Sequence, residues 1–529
     1  MRKHHYNYFK NLLFPCLYFS VIAGFFSAVA VTAFKLAAEL AIHLSGIIYG
    51  TARSNPVLLP LLVIGASLIG LASSFILSYS RSCRGGGIPT SIAAIRGIVS
   101  FKWLASVFIL PYSAALTLLC GIPLGTEGPC VQMGTAIGDG VVRSLGGKRH
   151  KGWRQYVMTG GASAGFSIAT SSPLAAIIFS MEELHKHFSP ILLTVASLSV
   201  ISAQVCVKIL ALLGIGSSSL FDISAIAPIS PRLFFAPLLV GLICGLVSIL
   251  FTRLYVLIDK LIHVILKKVS VKILFPILFA CICLIGFFLS DTLGTGHSLA
   301  DSLLHTQTLW YVLILVFLIR AVVMMISNTA GVTGGVFLPM LAFGAIIGSL
   351  SAKAMIAMGL IESEHYILLV VLGITAFLGA ASRIPITACV FAVESLGSIN
   401  NVIPVILAVT VAFLTVELSG LEDFTEIILD AKIRTISKGK SPTVVEVPLT
   451  VNPDSFAEGK ELRDILWPNN CMVVSYERKG EHHHKLGIMA GDVITVHYKT
   501  YNPAATAEEI KNLVGKQSEE IERLMNSTI

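Results

Sequence analysis

Two places in the chain put acidic side chains inside, or at the end of, long apolar runs. Glu127 lies in the turn GTEGP at 125–129, and Glu182 and Glu183 close a separate apolar run. An ionisable group within a membrane-type segment is costly and by default marks an ion path or a proton relay. At a helix N-terminus, the Glu127 carboxylate could occupy an anion site itself and withdraw when protonated. For Glu182 and Glu183, position alone does not decide between a functional and a structural role, since acids at a water-facing helix end need no function.

Three glycine-rich turns lead into apolar segments, and each carries a proline close behind the glycines. They are GGGIP at 85–89, GTEGP at 125–129 and GVFLP at 335–339. Such a turn presents backbone N–H groups and the positive end of a helix dipole, which together attract an anion. Glycines that only allow close helix packing are the alternative interpretation. Three such turns in one chain favour a site for a weakly held anion.

The chain repeats itself. GTEGPCVQMGTAIG at 125–138 matches GVFLPMLAFGAIIG at 335–348, and PLAAIIFSMEEL at 173–184 matches PITACVFAVESL at 385–396. The two matches have nearly the same offset, and Glu394 becomes the counterpart of Glu182, for which we expect a structural role. Duplicated segments interrupted by Gly and Pro are typical of secondary transporters, whose substrate site lies at the repeat interface.

The amino-acid composition indicates the kind of protein body that holds these turns. The chain has 529 residues, 55% of them hydrophobic and 13% charged, against about 25% charged in soluble domains. Residues 431–529 hold 26 of the 68 charged residues (38 basic and 30 acidic). We therefore expect a membrane-embedded body with a small soluble tail, and we exclude fibrous, disordered and nucleic-acid-binding classes. No metal-type cysteine pair occurs. Basic clusters between apolar runs indicate cytoplasmic N- and C-termini.

The apolar runs predict the membrane segments. Several exceed the ~20 residues needed to cross a ~30 Å hydrocarbon core, while others are broken by Gly and Pro. Eleven runs are expected, near 12–38, 57–79, 104–122, 155–181, 190–213, 233–257, 273–290, 309–326, 335–359, 366–393 and 402–418.

In their types and order these motifs resemble the signature segments of the CLC chloride channels and proton-coupled chloride transporters. The motifs are GGGIP, GTEGP, GGVFLP at 334–339 and SSPLAAIIFSMEEL at 171–184, and the similarity spans about 10–430. The resemblance implies an all-α polytopic membrane domain at 1–435. Two inverted repeats of tilted and re-entrant helices, about 12–213 and 233–430, would form it. It also implies a homodimer with one anion pathway in each subunit.

Carried over residue by residue, the resemblance assigns roles to single positions. Glu127 falls on the external gate and proton acceptor, and Glu183 on the internal proton-transfer acid. Val336 and Phe337 fall where backbone amides hold the central anion. Gly87 and Ile88 fall in the turn on the intracellular side of that anion.

Three positions depart from the family pattern. Gly86 stands where chloride-selective members have serine, Phe424 where a tyrosine closes the inner side of the site, and Thr126 where a basic residue often precedes the gate. Both hydroxyls at the central anion site would then be absent, leaving mainly backbone amides. These departures bear on which anion is carried and on how tightly it is coupled to protons.

The tail, 441–529, predicts a small α+β domain. Polar and apolar residues alternate at 443–447, 472–476 and 493–498, as in half-buried strands, and a helix is expected from about Ala504 with a capping box from Thr506 to Glu509. The tail resembles the C-terminal RCK (TrkA-C) domain of bacterial ion transporters. That resemblance implies either binding of a small regulatory nucleotide or a purely structural dimerisation unit. The HHH run at 482–484 is expected at a solvated hairpin tip.

The leading functional hypothesis is an anion/proton antiporter in a bacterial inner membrane. It would carry chloride or a similar small anion, with a glutamate gate and no cofactor in the membrane domain. An uncoupled chloride channel and a fluoride/proton antiporter are the alternatives. A sensor without solute flux is a third class. An enzyme is not expected, because the one nucleophile-type motif, GASAG around Ser163, lies in an apolar helical run rather than a strand–turn–helix.

Overall fold

A computed structural model gives the fold of the protein. It describes residues 14–98, 102–145, 153–216, 221, 226, 228–305, 308–397, 399–436, 443–453, 455–462, 465–467, 471–478, 487–500 and 503–526. The histidine run at 482–484 lies outside these residues.

The body is helical throughout, as its composition predicts. Its helices, in chain order, are α1 (Phe14–Ser54), α2 (Leu59–Tyr79), α3 (Ile88–Ile95), α4 (Trp103–Leu119), α5 (Glu127–Leu145), α6 (Arg154–Thr170), α7 (Pro173–Phe179), α8 (Pro190–Leu212), α9 (Phe235–Lys268), α10 (Val271–Phe288), α11 (His297–His305), α12 (Trp310–Ala330), α13 (Phe337–Ala357), α14 (Tyr366–Ala381), α15 (Pro385–Ser395), α16 (Val402–Glu417) and α17 (Phe424–Ile436). A π-helical turn, Ser180–His185, extends α7.

Nine segments of the described chain are long and apolar enough to cross a membrane. The sequence predicted eleven apolar runs, and two of them are broken rather than continuous. The run at 155–181 breaks between α6 and α7, where Ser171 has φ 56°, and the run at 366–393 breaks between α14 and α15, where Arg383 has φ 52°. A third run, at 104–122, forms the 17-residue helix α4. Such interrupted helices are tolerated at membrane depth where protein surrounds them.

The long helices divide into an inner and an outer group. The segment containing α14 is 89% buried and α13 is 72% buried, whereas the segment containing α2 is 28% buried. The outer helices therefore turn much of their apolar surface outward, as lipid-facing helices do. The inner pair carries the glycine-rich turn at 335–339 into the centre of the molecule.

The two repeats pack their central helix pairs in the same way. In the first repeat α5 crosses α6 at Gly134 and Gly161, and in the second α13 crosses α14 at Gly344 and Gly373. A Cβ atom on Gly134 would lie 2.0 Å from the Gly161 carbonyl oxygen, and one on Gly344 would lie 2.5 Å from that of Gly373. These glycines serve close packing, which was the alternative interpretation for the glycines of the turns.

The tail is a three-stranded antiparallel sheet with two helices. Its strands are β1 (Thr443–Thr450), β2 (Cys471–Glu477) and β3 (Val493–Thr500), in the order β1-β3-β2, followed by α18 (Pro503–Val514) and α19 (Glu519–Asn526). The three predicted strands are confirmed. The predicted capping box is wrong, because Thr506 lies inside α18 and its hydroxyl bonds Thr500 Oγ1 at 2.7 Å.

The tail contacts one side of the membrane domain, which we call the tail side. The rings of Phe456 and Tyr156 lie 6.4 Å apart, and Phe456 packs onto a buried cluster that includes Cys16 and Trp153. The Glu509 carboxylate lies directly against Gly97, just after α3. The tail therefore touches the short helix that begins at the first glycine-rich turn.

Candidate functional site

The three glycine-rich turns meet at the centre of the molecule. Gly125 and Gly335 exchange two backbone hydrogen bonds of 2.7 Å, forming an isolated antiparallel bridge between the repeats. A Cβ atom on Gly128 would lie 2.9 Å from Gly335 Cα and 3.1 Å from Gly87 Cα. Only residues without side chains allow three turns to approach this closely. The three glycine-rich turns thus meet at the repeat interface that the sequence predicts.

Glu127 begins α5 at this junction and is fully buried. Its Oε2 accepts a hydrogen bond from the Leu338 backbone N–H, 3.3 Å away. Its Oε1 accepts one from the Thr126 hydroxyl at 3.1 Å. Leu338 lies in the first turn of α13, so the carboxylate is held by a free donor at a helix N-terminus, where an anion would otherwise bind.

A cavity of about 20 Å³ lies beside this junction, enough for one water-sized occupant. The helices α3, α13 and α17 direct their N-termini toward it, and positive helix ends favour a negatively charged occupant. The Glu183 carboxyl belongs to the same wall. The lining residues are Ile88, Pro89, Phe179, Glu183, Val336, Phe337, Ser382, Ile384, Thr425 and Ile428.

Two of the predicted anion-site residues face other groups. The Gly87 N–H donates to Gln132 Oε1 at 2.8 Å. A Cβ atom on Gly86 would lie 2.4 Å from Leu110 Cδ1 and 3.0 Å from Gln132 Oε1. A serine at this position would therefore require the Leu110 side chain to move and would press on Gln132. Gln132 holds the turn by donating on to the Ser82 carbonyl at 3.1 Å.

Phe424 begins α17 and is not among the residues that line the cavity. Its ring centroid lies 4.8 Å from that of Tyr255 and 5.5 Å from that of Phe251. The next residue, Thr425, lines the cavity, together with Ser382 from the break between α14 and α15. The sequence predicted a site without side-chain hydroxyls, whereas the structure brings two hydroxyl-bearing residues to its wall. Neither was expected, because the family resemblance assigned Phe424 to the site.

The paired acids Glu182 and Glu183 have different surroundings. Glu182 accepts from the Ile386 and Thr387 backbone N–H groups at 2.9 and 2.7 Å and so caps α15. Its repeat counterpart Glu394 caps α7 in the same manner, accepting from the backbone N–H groups of residues 174 and 175 at 3.0 Å each. These reciprocal caps tie the two repeats together. Glu183 instead turns inward, is 2% exposed and lines the cavity.

Lys35 is a functional candidate that we did not single out from the sequence. It lies in the apolar helix α1, 21 residues after Phe14, or about 30 Å along the helix. Its ammonium donates to the Ile168 carbonyl at 3.1 Å and lies within electrostatic reach of Glu127. The sequence feature that could have identified Lys35 is a lysine inside an apolar helix. Lys35 thus places a positive charge within electrostatic reach of Glu127, where Thr126 supplies none.

Ser163, the centre of the GASAG motif, lies in the middle of α6. Its hydroxyl donates to the Thr159 carbonyl one turn earlier at 2.9 Å. The strand–turn–helix that a nucleophile elbow requires does not surround it, because α6 runs without interruption from Arg154 to Thr170.

The helices, the joined repeats and the buried acids define a polytopic membrane protein built for anion transport. Residues 68–417 match the family described as "Voltage gated chloride channel". The match covers more than half of the chain, and the protein belongs to this family, whose members include the CLC transporters.

Solved structures share its fold. A slow cyanobacterial Cl⁻/H⁺ antiporter aligns with a TM-score of 0.71 at 19% identity, covering 79% of this chain and 98% of the other. A eukaryotic CLC transporter aligns with a TM-score of 0.65 at 20% identity, covering 79% and 74%. A CLC-type fluoride/proton antiporter aligns with a TM-score of 0.62 at 20% identity, covering 76% and 95%.

Proposed function

We propose that this protein is an anion/proton antiporter that carries chloride or a similar small anion. The observation that carries the proposal is the hydrogen bond from the Leu338 N–H to the Glu127 carboxylate. An ionised carboxylate and a free anion compete for such a donor, whereas a protonated carboxyl competes poorly. Exchange of one for the other therefore moves a proton on or off Glu127, which makes it the proposed gate.

Glu183 is proposed as the proton-transfer acid on the opposite side of the site. It lines the cavity together with Ile88, Val336 and Phe337, so it is close enough to the anion position to respond to its charge. A buried carboxylate near a bound anion is destabilised, and taking up a proton relieves the repulsion. Two acids on one anion path give protons a route that an anion channel does not need.

The identity of the anion depends on the cavity wall. Ser382 and Thr425 line the cavity; the Ser382 hydroxyl donates to Met340 Sδ at 3.3 Å and would have to turn toward an anion to replace the hydroxyls missing at Gly86 and Phe424. Chloride is our first assignment, and fluoride is the alternative that the Gly86 departure keeps open. A series of chloride, fluoride, nitrate and bromide fluxes with simultaneous proton recording separates these assignments.

We further propose a homodimer in a bacterial inner membrane, with both termini in the cytoplasm. The tail side then faces the cytoplasm. The tail would act as an RCK (TrkA-C)-like regulatory domain that binds a small nucleotide. Its contact with Gly97 and Tyr156 supports a regulatory role, because Gly97 follows the helix that starts at the first glycine-rich turn. Titration of the protein with cyclic dinucleotides, read out as anion flux, tests this role.

Glu183→Gln tests the proton route in reconstituted vesicles. We expect proton flux to fall while anion flux persists, because glutamine cannot carry the proton but fills the same space. Glu182→Gln is the matched control: it changes the neighbouring acid, which caps α15, and should leave the ratio of proton to anion flux unchanged. Undiminished proton flux in Glu183→Gln would contradict the assigned role.

A further inference from the structure

A second buried acid, Asp423, lies beside Glu183 on the tail side of the cavity. It is 5% exposed and immediately precedes α17. Its Oδ1 accepts the Thr425 backbone N–H at 2.9 Å and thereby caps the helix. Its Oδ2 accepts a hydrogen bond from Lys186 Nζ at 2.6 Å. Buried carboxylates are uncommon unless they are paired or functional, and Lys186 is the one charged group that bonds Asp423 in the described chain.

The two acids are linked through one residue. The Thr425 backbone N–H donates to Asp423, and Thr425 lines the cavity together with Glu183, so the Asp423 charge lies within electrostatic reach of Glu183. Within the described part of the chain, Glu183 Oε2 has no hydrogen-bond partner. An unpartnered buried carboxylate oxygen next to a second carboxylate favours a shared proton, since neighbouring like charges cannot both remain ionised cheaply.

Asp423 is also connected to solvent. Its partner Lys186 is 40% exposed and lies 3.2 Å from Glu426 Oε1. Glu426, itself 29% exposed, forms a second ion pair of 3.0 Å with Arg96. Ion-paired groups thus run from the tail-side surface to Asp423, whose hydrogen-bond partner Thr425 lines the cavity.

The net charge of this cluster favours the uptake of one proton. Three carboxylates, Glu183, Asp423 and Glu426, face two cations, Lys186 and Arg96. The fully ionised cluster carries one net negative charge, and a single proton makes it neutral. His185, at the end of the same π-helical turn, is not counted in this cluster. Its Nε2 forms a hydrogen bond with Thr159 Oγ1 at 2.7 Å instead.

We propose that Asp423 is the proton-transfer residue between the tail-side solvent and Glu183. The proton on the Asp423 carboxyl passes to the Glu183 carboxylate, and Asp423 regains a proton from water at the Lys186–Glu426 surface. The reverse sequence releases a proton to the same side. No other bond forms or breaks. This inference rests on the proposed antiport function.

Asp423→Asn in the full-length protein, reconstituted in lipid vesicles, tests it. We expect proton flux to fall by about a hundredfold, the low end of what a positioned acid–base group contributes. Anion flux should persist, so the ratio of protons to anions should collapse. Asp423→Glu should restore part of that ratio, because the acid is retained. The neighbouring Glu422, which is exposed, gives the matched control Glu422→Gln, with an unchanged ratio.

The outcomes separate the possible failures. Equal losses of proton and anion flux in Asp423→Asn, with the ratio kept, would mean that Asp423 only supports the fold, and would overturn the inference. If the unmodified protein moves no protons, the antiport function fails, and the inference fails with it. If instead the unmodified protein is coupled and Asp423→Asn keeps its ratio, only the inference fails.

Lys186→Met supplies a second test that leaves Asp423 in place, should the asparagine variant not fold. Removing the cation favours the neutral form of Asp423, so the pH of half-maximal proton flux should move upward. An unchanged pH profile in a folded Lys186→Met protein would overturn the role of Asp423.

Discussion

Two buried carboxylates lie at the ends of the proposed site, and their surroundings suit different tasks. Glu127 has a donor on each oxygen, from Thr126 and Leu338, so its ionised form is held in place. Glu183 keeps one oxygen without a partner in the described chain, and its cluster has one negative charge in excess. The first arrangement suits a gate that occupies an anion position, and the second suits a group that accepts a proton.

Lys35 leads to a prediction at the residue scale. Lys35→Met should weaken anion binding near Glu127 by about tenfold, or ~1.4 kcal/mol, because the nearby positive charge is lost. The measurement is the anion concentration that gives half-maximal flux. Lys35→Arg should keep that concentration nearly unchanged. Lys208, exposed on α8, gives the control Lys208→Met, and an equal effect there would show that the charge acts non-specifically.

At this scale the sequence predicted some contacts and not others. The importance of Glu127 as a candidate was predictable, because one acid in an apolar turn stands out without knowledge of the fold; its gate role stays a proposal. Lys35 and Thr425 reach the site through tertiary packing between segments far apart in the chain, which periodicity does not reveal. Phe424 shows the same limit: the sequence placed it near the site, but its ring orientation depends on Tyr255 and Phe251.

The glycine-rich turns are the elements on which the site depends. Gly128→Ala should displace the turns at Gly87 and Gly335, since the added Cβ meets their backbone within about 3 Å. We expect a loss of stability of about 1–3 kcal/mol, the usual cost of overpacking, and a much larger loss of anion flux. Thermal unfolding in detergent and vesicle flux measure the two effects.

Gly65 is the matched control for this substitution. It lies in α2, and a Cβ atom added there meets no atom within 4 Å. Gly65→Ala should leave flux unchanged and stabilise the helix slightly, because alanine loses less backbone freedom than glycine. Equal flux in Gly128→Ala and Gly65→Ala would contradict the importance of the turn junction.

Element positions were largely predictable, whereas their interruptions were not predicted. Long apolar runs, basic clusters and the repeat fixed the helical body and the placement of the turns. The breaks at Ser171 and Arg383 fall on residues that adopt positive φ without being glycine. Each break carries a polar pair and has a proline two residues on, at Pro173 and Pro385, a helix-boundary signal that the division into apolar runs did not use. In the tail, alternation predicted three strands, while Thr506 was misread as a cap because the Thr-x-x-Glu spacing also occurs inside helices.

At the scale of the whole molecule, we predict that the tail contact is sensitive to pH. Burial against Gly97 raises the pKa of the Glu509 carboxyl from 4.5 to about 7, although Arg154 opposes the shift. The docked state therefore binds the proton more tightly than an exposed glutamate does. Docking should be strongest at low pH, weaken as the pH rises from about 4.5, and level off above about 7.

Hydrogen exchange of α18 measures this effect in the purified protein. After correction for intrinsic rates, exchange should be faster at pH 8 than at pH 5.5. Glu509→Gln should remove the difference and keep exchange slow at both values. Glu519→Gln, on the exposed part of α19, should behave like the unmodified protein. If the pH dependence of exchange survives in Glu509→Gln, it arises from other groups, and the role of Glu509 is contradicted.

The central claim concerns the coupling of anion and proton movement through the whole protein. It is tested most directly in vesicles loaded with chloride, at equal internal and external pH, with the membrane voltage clamped to zero by potassium and valinomycin. The antiport account predicts that chloride efflux drives protons inward, so that the external medium becomes alkaline, and that Glu127→Gln abolishes this proton uptake. Sustained chloride efflux without proton movement in the unmodified protein would contradict the account and identify an uncoupled channel.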